Sequence, residues 1–199
     1  MVTGVQTCAL PISLVQTTVV TTLADCVTLP LSRIHDHRGD LTFVESGQHI
    51  PFDIRRIYYL YNVPGGTTRG GHAHYSLHQY IIAINGSFDM VMDDGRQRMR
   101  WHLNSPHQAL YIPPMIWHDL DNFSSDAVCM VMASDIYDES DYMRRYDDFQ
   151  REFLRREAEW RDEWQQELNA SMGVSRQHET ASLNPEESGS QRQVALLSE

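Results

Sequence analysis

The run Leu77-His78-Gln79-Tyr80-Ile81-Ile82-Ala83-Ile84, followed by Asn85-Gly86-Ser87, Phe88-Asp89-Met90-Val91-Met92 and Asp93-Asp94-Gly95, decides how the rest of the chain is read. Leu77 to Ile84 is largely apolar, Phe88 to Met92 alternates, and both have strand length. Asn85-Gly86 and Asp94-Gly95 supply residues tolerant of positive φ, so each predicts a hairpin between consecutive antiparallel strands. Working outward, Ile54 to Asn62 is rich in β-formers. Gln97 to Leu103, Ala109 to Ile112 and Ala127 to Ser134 continue the series, and Pro113-Pro114 stops one of these strands. Many short strands between about Ser32 and Tyr137, with no helix until the C-terminal part, predict an all-β sandwich or barrel.

The flanks read differently. Glu139 to Leu168 has high helix propensity, with Tyr142, Tyr146, Phe149, Phe153, Trp160, Trp164 and Leu168 at three-, four- or seven-residue steps and Asp138 placed to cap it. A helix over 138–170 is expected, its aromatic stripe packing on the main domain. Gly173 to Glu199 is rich in Ser, Gln and Glu without aromatics, so 171–199 is expected to be a disordered tail. Residues 1–12 read as translated sequencing adaptor, which would make Cys8 foreign to the natural chain. Residues 13–29 are an unassigned N-terminal segment, and 30–137 is the β domain.

Composition narrows the function classes. In 199 residues, 16 basic against 27 acidic side chains leave a formal charge of −11, which disfavours binding a long polyanion. A small anionic ligand is not excluded, because a few arginines outweigh the global field within one Debye length, roughly 8 to 10 Å. No apolar run approaches the ~20 residues of a membrane-spanning helix. Cys8, Cys26 and Cys129 have no metal-type spacing and form no disulfide framework, which favours a reducing, cytoplasmic setting. Asn85, Asn122 and Asn169 are then chance glycosylation sequons.

The sharpest local feature is Arg69-Gly70-Gly71-His72-Ala73-His74, followed by His78 and Gln79. Residues two apart on a strand share a face, so His72 and His74 would present both imidazoles to one space. Pro113-Pro114-Met115-Ile116-Trp117-His118 places a further histidine after a strand-breaking turn. A single strand histidine is more often a satisfied polar residue than a catalyst, but this pairing with a separate third histidine shifts the balance toward a site. Tyr58 reads equally as barrel filling, and Arg56 and Arg69 read by themselves as surface charges.

These paired motifs resemble the cupin superfamily, a small antiparallel β-barrel (jelly roll). The likeness narrows with Ile50-Pro51-Phe52, Arg56-Ile57-Tyr58-Tyr59, Asn85-Gly86-Ser87, Asp93-Asp94-Gly95, Phe123-Ser124-Ser125-Asp126 and Ala133-Ser134-Asp135. Over about residues 30 to 150 the chain resembles the WxcM-like sugar 3,4-ketoisomerases. That resemblance implies a dimeric barrel without metal or other cofactor, acting on dTDP-4-keto-6-deoxyglucose. The product would be a dTDP-3-keto-6-deoxyhexose for unusual cell-surface or antibiotic sugars.

Moving a ketone from carbon 4 to carbon 3 requires taking the carbon-3 proton, forming an enediol and reprotonating carbon 4. Histidine, with an ordinary pKa of about 6.5, suits that exchange. His72 is the expected base, Tyr58 its catalytic partner by resemblance, His74 an assistant, and Arg69 either stabilises the enolate or holds the diphosphate. Arg56, Gln79, Tyr111, Trp117 and His118 are the expected substrate-binding residues. Three rivals stay open at this stage. One is a metal-dependent cupin using His72, His74 and His118 with His78 as a fourth nitrogen. The others are a non-catalytic sugar-nucleotide-binding cupin and a 3,5-epimerase.

Overall fold

A computed structural model describes residues 20–172. In chain order its strands are β1 Thr28–Pro30, β2 Arg33–Asp36, β3 Gly39–Thr42, β4 Arg56–Leu60, β5 Arg69–His74, β6 Gln79–Asn85 and β7 Phe88–Asp93. They continue with β8 Arg98–Leu103, β9 Gln108–Ile112, β10 Trp117–Asp121, β11 Val128–Ala133 and β12 Tyr142–Met143; α1 runs Tyr146–Ser171, and short 3-10 turns stand at Leu23–Asp25 and Glu139–Asp141. One sheet has the order β1-β9-β6-β11-β4, the other β12-β5-β10-β7-β8, and β2 and β3 form a separate ribbon. This is the expected jelly roll, built as two facing antiparallel sheets and not as one hydrogen-bonded closed ring. The segments expected as adaptor (1–12) and as tail from Gly173 lie outside the described residues, while β1 pairs with β9 two residues ahead of the expected domain start at 30.

Alternation along the strands sorts the side chains into three layers. Ile81, Ala83, Phe88, Met90, Met92, Leu110, Ile112, Leu120, Cys129 and Val131 fill the space between the sheets. Their strand neighbours Tyr80, Ile82, Ala109 and Met132 point out of the first sheet and are covered by Leu31, Ile50, Phe52 and Ile54. Ala73, Met115 and Trp117 point out of the second sheet, where Met143, Phe149 and Phe153 close over them. Full burial of each phenylalanine is worth about 1.5–3 kcal/mol, enough to hold the start of α1 on the sheet.

Two expectations need correction. Asn85-Gly86 is not a hairpin between paired strands, because β6 and β7 lie in different sheets. The chain crosses there, held by Asn85 Nδ2 on the Asp126 carbonyl at 2.8 Å and Ser124 N on the Ser87 carbonyl at 2.8 Å. Asp94-Gly95 does join the paired strands β7 and β8, and Asp94 Oδ1 accepts from the amides of Arg96 and Gln97.

The helix also starts later than 138. Asp138 caps only the 3-10 turn, and Tyr142 and Met143 pair with His74 and Ala73. The open edge of β5 needs backbone partners, and satisfying it outweighs the helix propensity of these residues. The aromatic stripe packs only in part: Phe149 and Phe153 are buried, whereas Trp160 is 36% exposed. From Trp164 the chain belongs to a second compact unit, helical to Ser171.

One backbone device matters for the site. Opposite β10, β5 carries an irregularity: His72 faces His118 but Gly70 faces Asp119, leaving Gly71 unmatched. Gly70 and Gly71 have φ of 88° and 70°, and a Cβ on Gly70 would sit 2.8 Å from the His118 carbonyl oxygen. Gly70→Ala is therefore expected to destabilise the fold by about 1–3 kcal/mol in urea unfolding. Gly65, with an ordinary φ and open space around it, serves as the control, since Gly65→Ala should change stability by less than about 0.5 kcal/mol. Equal effects from the two would refute the strain argument.

Candidate active site

At one end of the sandwich the inward positions turn polar: Arg56 and Tyr58 on β4, His72 and His74 on β5, Gln79 on β6, and His118 on β10. They surround or back a cavity of about 360 Å³ whose wall includes Tyr58, Arg69, His72, His118, Tyr142 and Arg144 over an apolar floor of Leu60, Ile81, Leu120 and Val131. The imidazoles pack on one another, with ring centroids of His72 4.9 Å from His74 and 4.6 Å from His118. Both ring nitrogens of His72 are buried without a hydrogen-bond partner among the described residues, as are Arg56 Nε and Nη2 and Gln79 Oε1. Leaving such groups unpaired costs about 1–3 kcal/mol each, so this end of the interior is organised for a polar guest.

Burial sets the charge states. It lowers the pKa of His72 below 6.5, takes His74 down to about 3 with help from the neighbouring His72 and Arg56, and drives His118 well down. The ring is only 2% exposed, with Nδ1 2.9 Å from the Asp141 carboxylate, and burial favours its neutral form. Neutral His74 therefore donates Nδ1–H to Asp141. His118 likewise gives Nδ1–H to the Ile116 carbonyl at 3.1 Å, which leaves Nε2 of each ring as a lone-pair acceptor facing inward. Burial pushes the Tyr58 phenol well up, so it keeps its proton, and its oxygen accepts from Gln79 Nε2 at 3.0 Å.

The expected residues divide into those brought together and those set apart. His72, Tyr58, His118 and Arg69 line the cavity, Arg69 at its exposed mouth. His74 and Gln79 stand behind that wall, and the Arg56 guanidinium lies over the rings of Tyr58 and Tyr137 at 5.2 and 5.5 Å. Tyr111 and Trp117 are not in the cavity. Tyr111 follows the inward Leu110 and so faces out, its hydroxyl 2.6 Å from His78 Nδ1. Trp117 precedes the inward His118 and packs beneath Tyr146 and Phe149. His78 shares the outer face with Tyr111, so it cannot be a fourth ligand to an ion at the other three histidines. His72, His74 and His118 do offer ligand atoms within 4.8 Å of one another, a set able to take one transition-metal ion.

Residues absent from the sequence-based expectation complete the site. Tyr142 and Arg144 line the cavity, with Arg144 stacked on the Tyr142 ring at 4.4 Å and paired with Glu139. Tyr142 was legible only as one member of the aromatic stripe, and Asp141 only as the acidic residue three positions after the Asp138 cap. Their pairing with β5 is a long-range contact that local periodicity does not encode.

Known proteins match this arrangement. The family described as "FdtA: WxcM-like, C-terminal" matches residues 24–153. The TDP-4-oxo-6-deoxy-alpha-D-glucose-3,4-oxoisomerase of Aneurinibacillus thermoaerophilus is 45% identical over 119 residues, 60% of this chain and 86% of that protein. A 3,4-ketoisomerase from Helicobacter canadensis superposes with a TM-score of 0.64 at 40% identity, covering 65% of this chain and 98% of that one. QdtA, a sugar 3,4-ketoisomerase from Thermoanaerobacterium thermosaccharolyticum in complex with TDP, gives 0.66 at 38% identity over 68% and 98%. A dTDP-4-dehydrorhamnose 3,5-epimerase from Bacillus anthracis, at 19% identity and a TM-score of 0.55, shares the fold alone. The cavity is thus that of a protein belonging to the WxcM-like family of FdtA.

Proposed function

We propose that the protein is an isomerase, a sugar 3,4-ketoisomerase that converts dTDP-4-keto-6-deoxyglucose to a dTDP-3-keto-6-deoxyhexose through an enediol in deoxysugar biosynthesis. The observation that carries this reading is the meeting of an unpartnered, uncharged His72 with the protonated phenol of Tyr58 at one cavity. His72 takes the proton from carbon 3 while Tyr58 donates toward the carbon-4 oxygen, which becomes the second hydroxyl of the enediol. Loss of the carbon-3 hydroxyl proton and return of a proton to carbon 4 completes the shift. Arg69, exposed at the mouth, is better placed for the diphosphate than for the enolate. The Arg56 guanidinium, with two unpartnered donor nitrogens beside Tyr58, is the nearer source of stabilisation for the developing oxyanion.

The reading includes a cytoplasmic location, with Cys26 and Cys129 free and buried, and no helix among the described residues is long and apolar enough to cross a membrane. It also includes a homodimer. The outer face of the first sheet holds an apolar groove lined by Leu31, Phe43, Ile57, Ile84, Met130 and Met132, with Ile57 and Ile84 left 55% and 42% exposed. Sedimentation of the intact protein should give twice the mass of one chain, and a monomer would remove the dimer from the proposal.

Incubation of the EDTA-treated protein with dTDP-4-keto-6-deoxyglucose in deuterium oxide should yield the 3-keto product by NMR, with deuterium at carbon 4 and none gained at carbon 5. His72→Asn should abolish this turnover and keep the fold. Activity restored only by added transition metal would instead assign the histidine cluster to an ion.

For Tyr58→Phe, kcat should fall about 100-fold or more while KM moves only a few-fold, the pattern of a contact made in the transition state. An unchanged kcat would make the phenol structural.

A further inference from the structure

Asp141 does not line the cavity, yet it stands at the start of a hydrogen-bonded chain that ends on the proposed acid. Its Oδ1 accepts from the Ser76 amide and hydroxyl, both at 2.8 Å, and its Oδ2 accepts Nδ1–H of His74 at 2.9 Å. The carboxylate is acceptor-only, so it fixes the tautomer of His74: the proton is on Nδ1 and the lone pair on Nε2. That lone pair lies 3.4 Å from Gln79 Nε2, which also contacts the Tyr58 hydroxyl at 3.0 Å. An NH2 group has two donors, and both neighbours now ask for one, so the amide is oriented with nitrogen toward them and Oε1 away. Oε1 is the buried atom left unpartnered. The Tyr58 oxygen is thereby made an acceptor from Gln79, and its own proton is free to point into the cavity.

We propose that Asp141 is a positioning residue which, through His74 and Gln79, directs the Tyr58 proton toward the sugar. This inference rests on the ketoisomerase reading of the same cavity. The four groups come from four separate elements: the Glu139–Asp141 turn, β5, β6 and β4. The turn is tied to β5 by Tyr75 N on the Asp141 carbonyl at 3.0 Å and by the pairing of Tyr142 with His74. The chain is thus a long-range construction, and reversing its first link reverses every later one. With asparagine at 141, Oδ1 stays on the two Ser76 donors and Nδ2–H faces His74 Nδ1. The histidine then carries its proton on Nε2, Gln79 must turn Oε1 toward it, and the phenol donates to Gln79 instead of to substrate.

The test is Asp141→Asn, read by 15N histidine NMR of the ligand-free protein, with the His74 signals assigned by difference from a His74→Gln variant, and by kinetics on dTDP-4-keto-6-deoxyglucose. Expected are a shift of His74 from the Nδ1–H to the Nε2–H form and a kcat lower by roughly 10- to 100-fold, with KM within about threefold. A His74 still protonated on Nδ1, or a kcat within twofold of wild type after the tautomer has switched, would overturn the proposal. Should Asp141→Asn fail to fold, Gln79→Leu decides the matter. It cuts the chain at its third member, so kcat should fall about tenfold or more with His74 still in the Nδ1–H form, and wild-type kcat would refute the relay. A wild-type protein that leaves the substrate unchanged would defeat the ketoisomerase reading instead. The tautomer readout needs no substrate and judges Asp141 independently.

Discussion

Three imidazoles pressed together inside a sandwich of aliphatic side chains are driven toward their neutral forms, and most of the arrangement around them follows from that constraint. A cationic ring beside Ile81, Leu120 and Val131 would lose its hydration with no carboxylate among the described residues that line the cavity, and burial lowers the pKa of His72, His74 and His118 alike, outweighing for His74 the Asp141 carboxylate behind it. Neutral rings need defined tautomers, and the protein provides them from outside the cavity, with Asp141 for His74 and the Ile116 carbonyl for His118. Among the described residues His72 has no partner in hydrogen-bond geometry on either nitrogen, although the Gly70 backbone lies near enough to favour its protonated form. The ring left unassigned is the one that gains and loses a proton in the proposed reaction, and a fixed hydrogen bond on either nitrogen would bias it toward a single state.

Placing that ring required a departure from regular strand geometry. In an unbroken β5 the alternation would run straight from Arg69 to His74, with every second residue facing in. The unmatched Gly71 shifts the phase, so His72 sits opposite His118 while Gly70 lies against the backbone of β10. Close approach of two backbones is possible there because Gly70 carries no Cβ, while Gly71 adopts a positive φ. The register shift at these two glycines sets His72 opposite His118, with ring centroids 4.6 Å apart.

Much of this was legible in the sequence, and the limits follow a physical line. Strand existence, the shared face of His72 and His74, and the role of Asp94-Gly95 as a hairpin all depend on local alternation and turn chemistry, which a short window contains. Asn85-Gly86 has the same local chemistry, but its flanking strands belong to different sheets, a fact fixed by partners some 40 residues away such as Asp126. The outward direction of Tyr111 turns on a one-residue phase that the largely apolar β9 conceals on both faces, whereas Trp117, adjacent to the inward His118, faces away by simple strand alternation. Asp141, Tyr142 and Arg144 join the site because the edge of β5 recruits the segment before α1, against that segment's own preference for helix.

The electrostatics resolve what at first looks like a conflict. A chain of formal charge −11 is proposed to bind a substrate carrying a diphosphate. Within roughly 8 Å of the mouth, however, local charges dominate over the total. Arg69 and Arg144 both line that mouth, and Arg144 is held against the Tyr142 ring by its ion pair with Glu139, which keeps the guanidinium at the cavity and not in free solution. Beside Tyr58 lies the Arg56 guanidinium, with Nε and Nη2 buried and unpartnered among the described residues. Positive charge thus divides by depth. In the proposed complex the exposed arginines would meet a diphosphate that stays hydrated and charged throughout, whereas Arg56, with Nε and Nη2 buried beside Tyr58, would act on an oxygen that becomes negative only as His72 takes its proton.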